Sequence, residues 1–346
     1  MHDHIRKDFR RQSIACTALG SPFTGRVCAL LAEHLTDDTA FGHSVLNWQG
    51  QPQRDALPLR AAGALNALSR SGRCPALTAA YPPHEADDDT LSAAIAQAID
   101  THDAFLTSFL DSPPQTNEVA RSGSLLGGAL HLAAMTHLPI DLYEIGSSAG
   151  LNLGFDRYAY NLGDKSWGRA EEGVRIEQQW SGALPPLDAP LTIRSRQACD
   201  QNPLDPSSAD TRERLMAYCW PDQTERKERL AAALVSAARS GSHVENADAA
   251  DWVERHFAGS GKPGGVRLLI HSIVWQYLPA DIAARIAAAM EKAGATATPD
   301  APIAWLRVEP ENNQSPTAAI TLTLWPTGET RTLGQADFHG RFTQWN

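Results

Sequence analysis

Apolar positions along the first third of the chain recur at helical spacing. Segments 8–19, 24–35, 60–70, 90–110 and 118–136 are rich in Ala and Leu, and each predicts a helix. In the fourth, Leu91, Ile95, Ala98, Ile99 and Phe105 make one apolar face. Ser21-Pro22, Pro82-Pro83 and Pro113-Pro114 punctuate the run. Alternation with period two is almost absent before residue 138. The character changes at Pro139, where Ile140-Asp141-Leu142-Tyr143-Glu144-Ile145 is a short apolar strand closed by Gly146. From there the pattern predicts strand 140–145, helix 148–158, strand 191–197, helix 209–239, strands 242–247 and 266–273, helix 280–293, and strands 302–308, 317–325 and 329–335. The last two are joined by a Trp325-Pro326-Thr327-Gly328 turn. Trp220-Pro221-Asp222 reads as a break that ends one helix and caps the next.

Strands alternating with helices imply an α/β fold with a mostly parallel, doubly wound sheet. Seven strands are expected, with a C-terminal antiparallel hairpin, behind an all-helical N-terminal domain. The boundary is expected near residue 137, giving domains 1–137 and 138–346. Residues 159–190 break the alternation with Gly163, Gly168, Gly173, Gly182 and Pro185-Pro186, and look like an insertion holding one short hairpin.

Composition narrows the function classes. The chain has 346 residues, 42% of them hydrophobic, enough to bury a core, and a net charge of −10. That acidity disfavours nucleic-acid and anionic-membrane partners, leaving a small-molecule substrate. No apolar run approaches a membrane span, and the first six residues carry no apolar signal region. Five cysteines without CxxC spacing argue against a metal site and a disulfide framework, so a cytoplasmic location is expected.

The sharpest motif is Glu144-Ile145-Gly146-Ser147-Ser148-Ala149-Gly150-Leu151-Asn152, a strand end, a small-residue turn and a helix start. Such a turn lets backbone approach a ligand at the carboxyl end of a parallel sheet. Its Gly-x-x-x-Gly spacing is not the dinucleotide fingerprint. The same residues match GxSxG, which would make Ser148 the nucleophile of a serine hydrolase, with His339 late enough to be its base. No oxyanion segment precedes it, and its strand is the first rather than a later one. Further polar groups fall at strand ends: Asp200, Asp248-Ala249, and His271-Ser272 followed by Trp275-Gln276. Asp200 and Asp248 are also natural helix caps or turn acceptors, and His271 a natural core residue.

Together these residues resemble the class I S-adenosylmethionine-dependent methyltransferases over about residues 138–346. The whole chain resembles a bacterial family known as domain of unknown function 2332. That match is carried by segments 115–122 (QTNEVARS), 143–152 (YEIGSSAGLN), 217–223 (AYCWPDQ), 271–279 (HSIVWQYLP), 305–310 (WLRVEP) and 338–341 (FHGR). The methyltransferase resemblance implies a seven-stranded sheet whose last strand is antiparallel and inserted beside the sixth. It implies S-adenosylmethionine as cofactor, with Gly146, Ser147, Ser148 and Gly150 around its methionine part. Glu144 would lie near the amino group, and Asn152 in the same loop. Asp200, with Asp205 as a rival, would hold the ribose, and Asp248 and Ala249 the adenine. His271, Ser272, Trp275 and Gln276 would lie nearest the methyl group, with His271 as a base and Gln276 beside it. Arg121 would reach the cofactor carboxylate or the substrate, or else pair with Glu118 at a helix start. A serine hydrolase, a non-catalytic protein that keeps the fold, and, less well matched, a nicotinamide oxidoreductase stand as alternatives.

Overall fold

A computed structural model describes residues 2–169, 173–241, 243–312 and 314–346. The chain forms two compact units, one from residues 1–116 and 209–231, the other from 117–208 and 232–346. The sequence suggested a single cut at 137. Instead the chain leaves the helical unit at 116 and returns to it for residues 209–231.

The helical unit contains α1 (Asp3–Ala18), α2 (Pro22–His34), α3 (Ala40–Leu46), α4 (Leu57–Arg70), α5 (Pro75–Ala79), α6 (Asp88–Phe109), α8 (Ala209–Tyr218) and the start of α9 (Thr224–Ser240). In α6 the Asp87 carboxylate accepts the Thr90 N–H, and Asp88 and Asp89 sit where the helix dipole favours negative charge. Its apolar face buries Leu91, Ala94, Ile95, Ala98, Ile99 and Leu106. The expected helix 209–239 is two helices. The break falls at Trp220-Pro221-Asp222, but Asp222 does not cap the helix that follows. Its carboxylate accepts the Phe23 N–H (2.9 Å) and the Ser21 hydroxyl, closing the N-terminus of α2. Asn66 of α4 donates to the carbonyls of Ala217 and Cys219 (2.8 and 3.0 Å), which holds the end of α8 within this unit.

The second unit is built on one sheet of eleven strands: β1 (Ile140–Ile145), β2 (Ala159–Leu162), β3 (Lys165–Trp167), β4 (Arg175–Gly182), β5 (Ile193–Asp200), β6 (Val244–Asn246), β7 (Val266–Ser272), β8 (Ile303–Pro310), β9 (Ala318–Trp325), β10 (Glu329–Ala336) and β11 (Phe342–Trp345). Its order is β3-β2-β4-β11-β10-β9-β8-β7-β1-β5-β6. The stretch β6-β5-β1-β7-β8 is all parallel. Numbered among themselves, these five run 3-2-1-4-5, a doubly wound order that reverses between β1 and β7. Strands β8 to β11 then continue as an antiparallel meander.

The expected count of seven strands is therefore corrected. Residues 159–190 supply three strands, not a lone hairpin, and β4 joins β11 in parallel. Their pattern was hard to read because Gln178, not an apolar residue, holds an inward position of β4. The strand β11 is only four residues long. The last expected strand, β10, does lie antiparallel beside the sixth, β9, but on its outer side and not between it and β8, with which β9 pairs directly. The helix expected at 148–158 is a 3-10 segment, Leu151–Arg157, because Ser148 (φ 54°) and Gly150 (φ 71°) lead into it in left-handed conformations.

Strand alternation divides the parallel core into two faces. Tyr143, Ile145, Leu269, Ile303 and Trp305 pack with α10 (Ala249–His256) and α11 (Ala280–Gly294). The other face meets α7 (Ser122–Thr136), whose Gly128 allows close approach: a Cβ there would lie 2.4 Å from Leu306 Cδ1. Among the described residues no helix is long and apolar enough to cross a membrane.

The α2 cap makes the first prediction. Asp222→Ala leaves the Phe23 N–H without its acceptor and the Ser21 hydroxyl with Thr24 Oγ1 alone. It should lower stability by about 1–2 kcal/mol in urea unfolding. An unchanged midpoint would show that the cap contributes nothing.

Candidate functional site

The polar residues singled out from the sequence gather at the carboxyl end of the parallel core, where β1 gives way to its turn. Glu144 is 2% exposed and accepts the Ser147 hydroxyl at 2.6 Å. Burial pushes its carboxyl up to about 8, opposed by the Ser147 bond and reinforced by the Asp200 carboxylate. The chain turns at Gly146, with φ 66°, where a Cβ would fall 2.1 Å from Val274 Cγ2. The turns after β1 and β7 therefore touch.

Backbone donors of this turn are met from inside the chain. Ser147 N–H goes to the Cys199 carbonyl, and Gly150 N–H to the Ser147 carbonyl. Ser148 N–H goes to Asp200 Oδ2 (2.8 Å). Leu151 N–H goes to Asn117 Oδ1 (2.9 Å). Asp200, the last residue of β5, also accepts the Asn202 N–H on Oδ1. Asp205, its rival, lies beyond the strand and accepts the Ser207 N–H and hydroxyl. Two buried side-chain atoms here have no hydrogen-bond partner, Ser148 Oγ and Asn152 Oδ1.

The segment 117–121 clasps this rim. Asn117 holds Leu151, and Glu118 accepts the Ala120 N–H and is 4% exposed. Arg121 donates from Nε to the Phe338 carbonyl (2.7 Å) and from Nη1 to the Ser272 carbonyl (3.3 Å). These bonds tie the end of β7 to the turn that follows β10.

A second group lies on the other face of the sheet. Glu144 pairs in register with Ile270, so His271, one residue further, points the opposite way. His271 is fully buried, with Nδ1 2.6 Å from Glu309 Oε1 and its ring stacked on Trp275 (5.1 Å, 16°). His271 Nε2 and Glu309 Oε2 have no partner. The Val274 N–H also donates to Glu309 Oε1 (3.0 Å). Gln276 is exposed on the 3-10 turn Trp275–Tyr277.

The expected residues thus fall into two groups at one rim. Glu144, Gly146, Ser147, Ser148, Gly150, Asn152 and Asp200 form the first, with Arg121 bracing it through Ser272. His271 and Trp275 form the second. Asp248 and Ala249 open α10, where Asp248 Oδ1 accepts the N–H groups of Ala250 and Asp251. The capping reading of Asp248 therefore holds. Sequence reasoning passed over Asn117 and Glu309. Glu309 was legible only as part of the segment 305–310, because its partner lies 38 residues away on the neighbouring strand. As for the hydrolase elbow, Ser148 has the left-handed conformation, but its Oγ has no hydrogen-bond partner, so it is not bonded to His339, the base that reading requires. Among the described residues no three His, Cys, Asp or Glu side chains are grouped as a metal would require.

Fold and site define an α/β protein with a parallel core and a polar rim at its strand ends. The chain belongs to the family described as "Uncharacterized protein conserved in bacteria (DUF2332)", whose model matches residues 6–345. No curated protein and no solved structure matches the chain.

Glu144 gives a pH-dependent prediction. Between its ordinary value of 4.5 and about 8, the folded chain keeps a proton that the unfolded chain has released. The contribution of Glu144 to stability therefore falls as pH rises through that window, by at most about 1.4 kcal/mol per pH unit. Glu144→Gln, which still accepts from Ser147, should remove that slope. Urea unfolding of both proteins at several pH values should give curves that diverge with rising pH; parallel curves would place the proton elsewhere.

Proposed function

We propose that this protein is an S-adenosylmethionine-dependent methyltransferase acting on a small molecule, with the donor held across the ends of β1, β5 and β6. The observation that carries this reading is the 3-2-1-4-5 parallel core with a carboxylate at or just after the end of each of those strands: Glu144, Asp200 and Asp248.

The chemistry of the turn selects among nucleotide ligands. The N–H groups of Ser147, Ser148, Gly150 and Leu151 are all bonded within the chain. They offer no nest for a pyrophosphate, which speaks against a nicotinamide dinucleotide. A nucleoside without phosphate asks for a diol acceptor instead. Each Asp200 oxygen takes one backbone N–H and keeps a second lone pair, so the carboxylate can accept both ribose hydroxyls. Asp248 Oδ1 is committed to its helix, so an adenine amino group would meet Oδ2. Ser148 Oγ and Asn152 Oδ1 supply further polar atoms in want of partners. These residues fit S-adenosylmethionine, which when bound supplies an electrophilic methyl carbon for in-line displacement. The chain's own part is to align the acceptor, shield it from water and take up its proton. In this reading His271, near the end of β7, would take that proton.

Calorimetric titration with S-adenosylhomocysteine tests the reading. The wild type should bind. Asp200→Asn, which turns one acceptor into a donor, should bind at least about tenfold more weakly, the ~1.4 kcal/mol of a hydrogen bond to a charged group. Folded, cofactor-free protein that binds nothing would sink the methyltransferase. Labelling of Ser148 by a fluorophosphonate in that protein would favour the hydrolase.

A further inference from the structure

We infer that Glu309 is a positioning residue that fixes His271 in the tautomer with the proton on Nδ1, leaving Nε2 to take a proton from the hydroxyl or amine of the methyl acceptor; this rests on the methyltransferase reading above. Glu309 Oε1 lies 2.6 Å from His271 Nδ1 and also receives the Val274 N–H at 3.0 Å. An oxygen that already accepts a backbone N–H is suited to accept from its second neighbour too, so the shared proton belongs to Nδ1. Nε2 then carries the lone pair. The ring cannot turn freely to exchange its nitrogens. It is fully buried, stacked on Trp275 and 5.9 Å from Trp305.

Of His131, His256 and His271, whose Nε2 atoms all lack a hydrogen-bond partner, His271 is the fully buried one with a carboxylate on Nδ1. Here one nitrogen is held by a carboxylate and the other has no partner. A base of this kind has work only where the acceptor's nucleophilic atom bears a proton, which selects a hydroxyl or an N–H amine over a thioether or tertiary amine. As the acceptor's lone pair forms the bond to the methyl carbon, its O–H or N–H bond breaks and the proton passes to Nε2. The electron pair of the broken C–S bond stays on sulfur. The imidazolium that results would face the Glu309 carboxylate, whose Oε1 lies 2.6 Å from Nδ1.

The tautomer can be read directly. Long-range 1H–15N correlation on 15N-histidine-labelled free protein, with His271→Gln to assign the ring among the 12 histidines, should show a protonated Nδ1 and an unprotonated Nε2. Glu309→Gln keeps an acceptor oxygen and should keep that pattern. Glu309→Leu removes it and should move the proton to Nε2. A proton on Nε2 in the wild type, or an unchanged pattern in a folded Glu309→Leu variant, would overturn the inference. Because the spectrum needs no ligand, the two readings fail separately. A proton missing from Nδ1 overturns this inference whatever the titration gives, and a lack of S-adenosylhomocysteine binding overturns the methyltransferase whatever the spectrum gives.

Discussion

The turn that leaves β1 is held by the chain's own acceptors, and the arrangement of the rim depends on that. A small-residue loop at the end of a parallel strand could stand open, with its N–H groups pointing to solvent or to a phosphate. Here β5 closes it, through the Cys199 carbonyl and the Asp200 carboxylate, and Asn117 holds its far end. The Ser147 bond orients the Glu144 carboxyl, and the Gly146 backbone lies against Val274. One closed turn therefore fixes the end of β5, the segment before α7 and the loop after β7 in a single register. Rigid placement of this kind is what a binding rim needs and what an isolated loop does not supply.

Two consequences follow for the chemistry. The first concerns the turn itself: the N–H groups of Ser147, Ser148, Gly150 and Leu151 are spent within the chain, while the Asp200 carboxylate keeps lone pairs to accept further hydrogen bonds. The second is a division of labour between the faces of the sheet. Glu144 and Asp200 lie on the face covered by α7, whereas His271 and Glu309 lie on the face covered by α10 and α11. The two groups stay electrostatically distinct, so a carboxyl that holds its proton toward neutral pH does not face the histidine across the sheet. They approach only at the rim, through the contact of Gly146 with Val274.

The parallel core was legible because its strands are apolar runs closed by small or acidic residues. The starts of β1, β7, β8, β9 and β10 fell within a residue of expectation, while β5 and β6 began two residues later. The strands beyond β10 in the sheet were not legible. In β4 the inward position taken by Gln178 erased the alternation, and β3 and β11 are too short to have a period. The acids were found by position, but their local tasks were hidden: Asp222 serves a helix 200 residues upstream in sequence, and Asp248 caps the helix it opens. Glu309 could not be found by spacing, since strand pairing alone brings it to His271. Tertiary partnership across parallel strands leaves no local signature in one sequence.

The unpartnered atoms weigh on the same side as the topology. Ser148 Oγ and Asn152 Oδ1 on one face, and His271 Nε2 and Glu309 Oε2 on the other, are buried polar atoms with an unmade hydrogen bond. A buried polar atom left without any hydrogen bond costs about 1–3 kcal/mol. Ser148 adds backbone strain, since glycine would take its left-handed conformation at lower cost. Alanine, valine or glycine at these positions would relieve the costs without altering the sheet. Ser148 Oγ and Asn152 Oδ1 lie just after β1, His271 Nε2 near the end of β7 and Glu309 Oε2 near the end of β8, so these four of the unpartnered atoms fall at the rim that the proposed site uses.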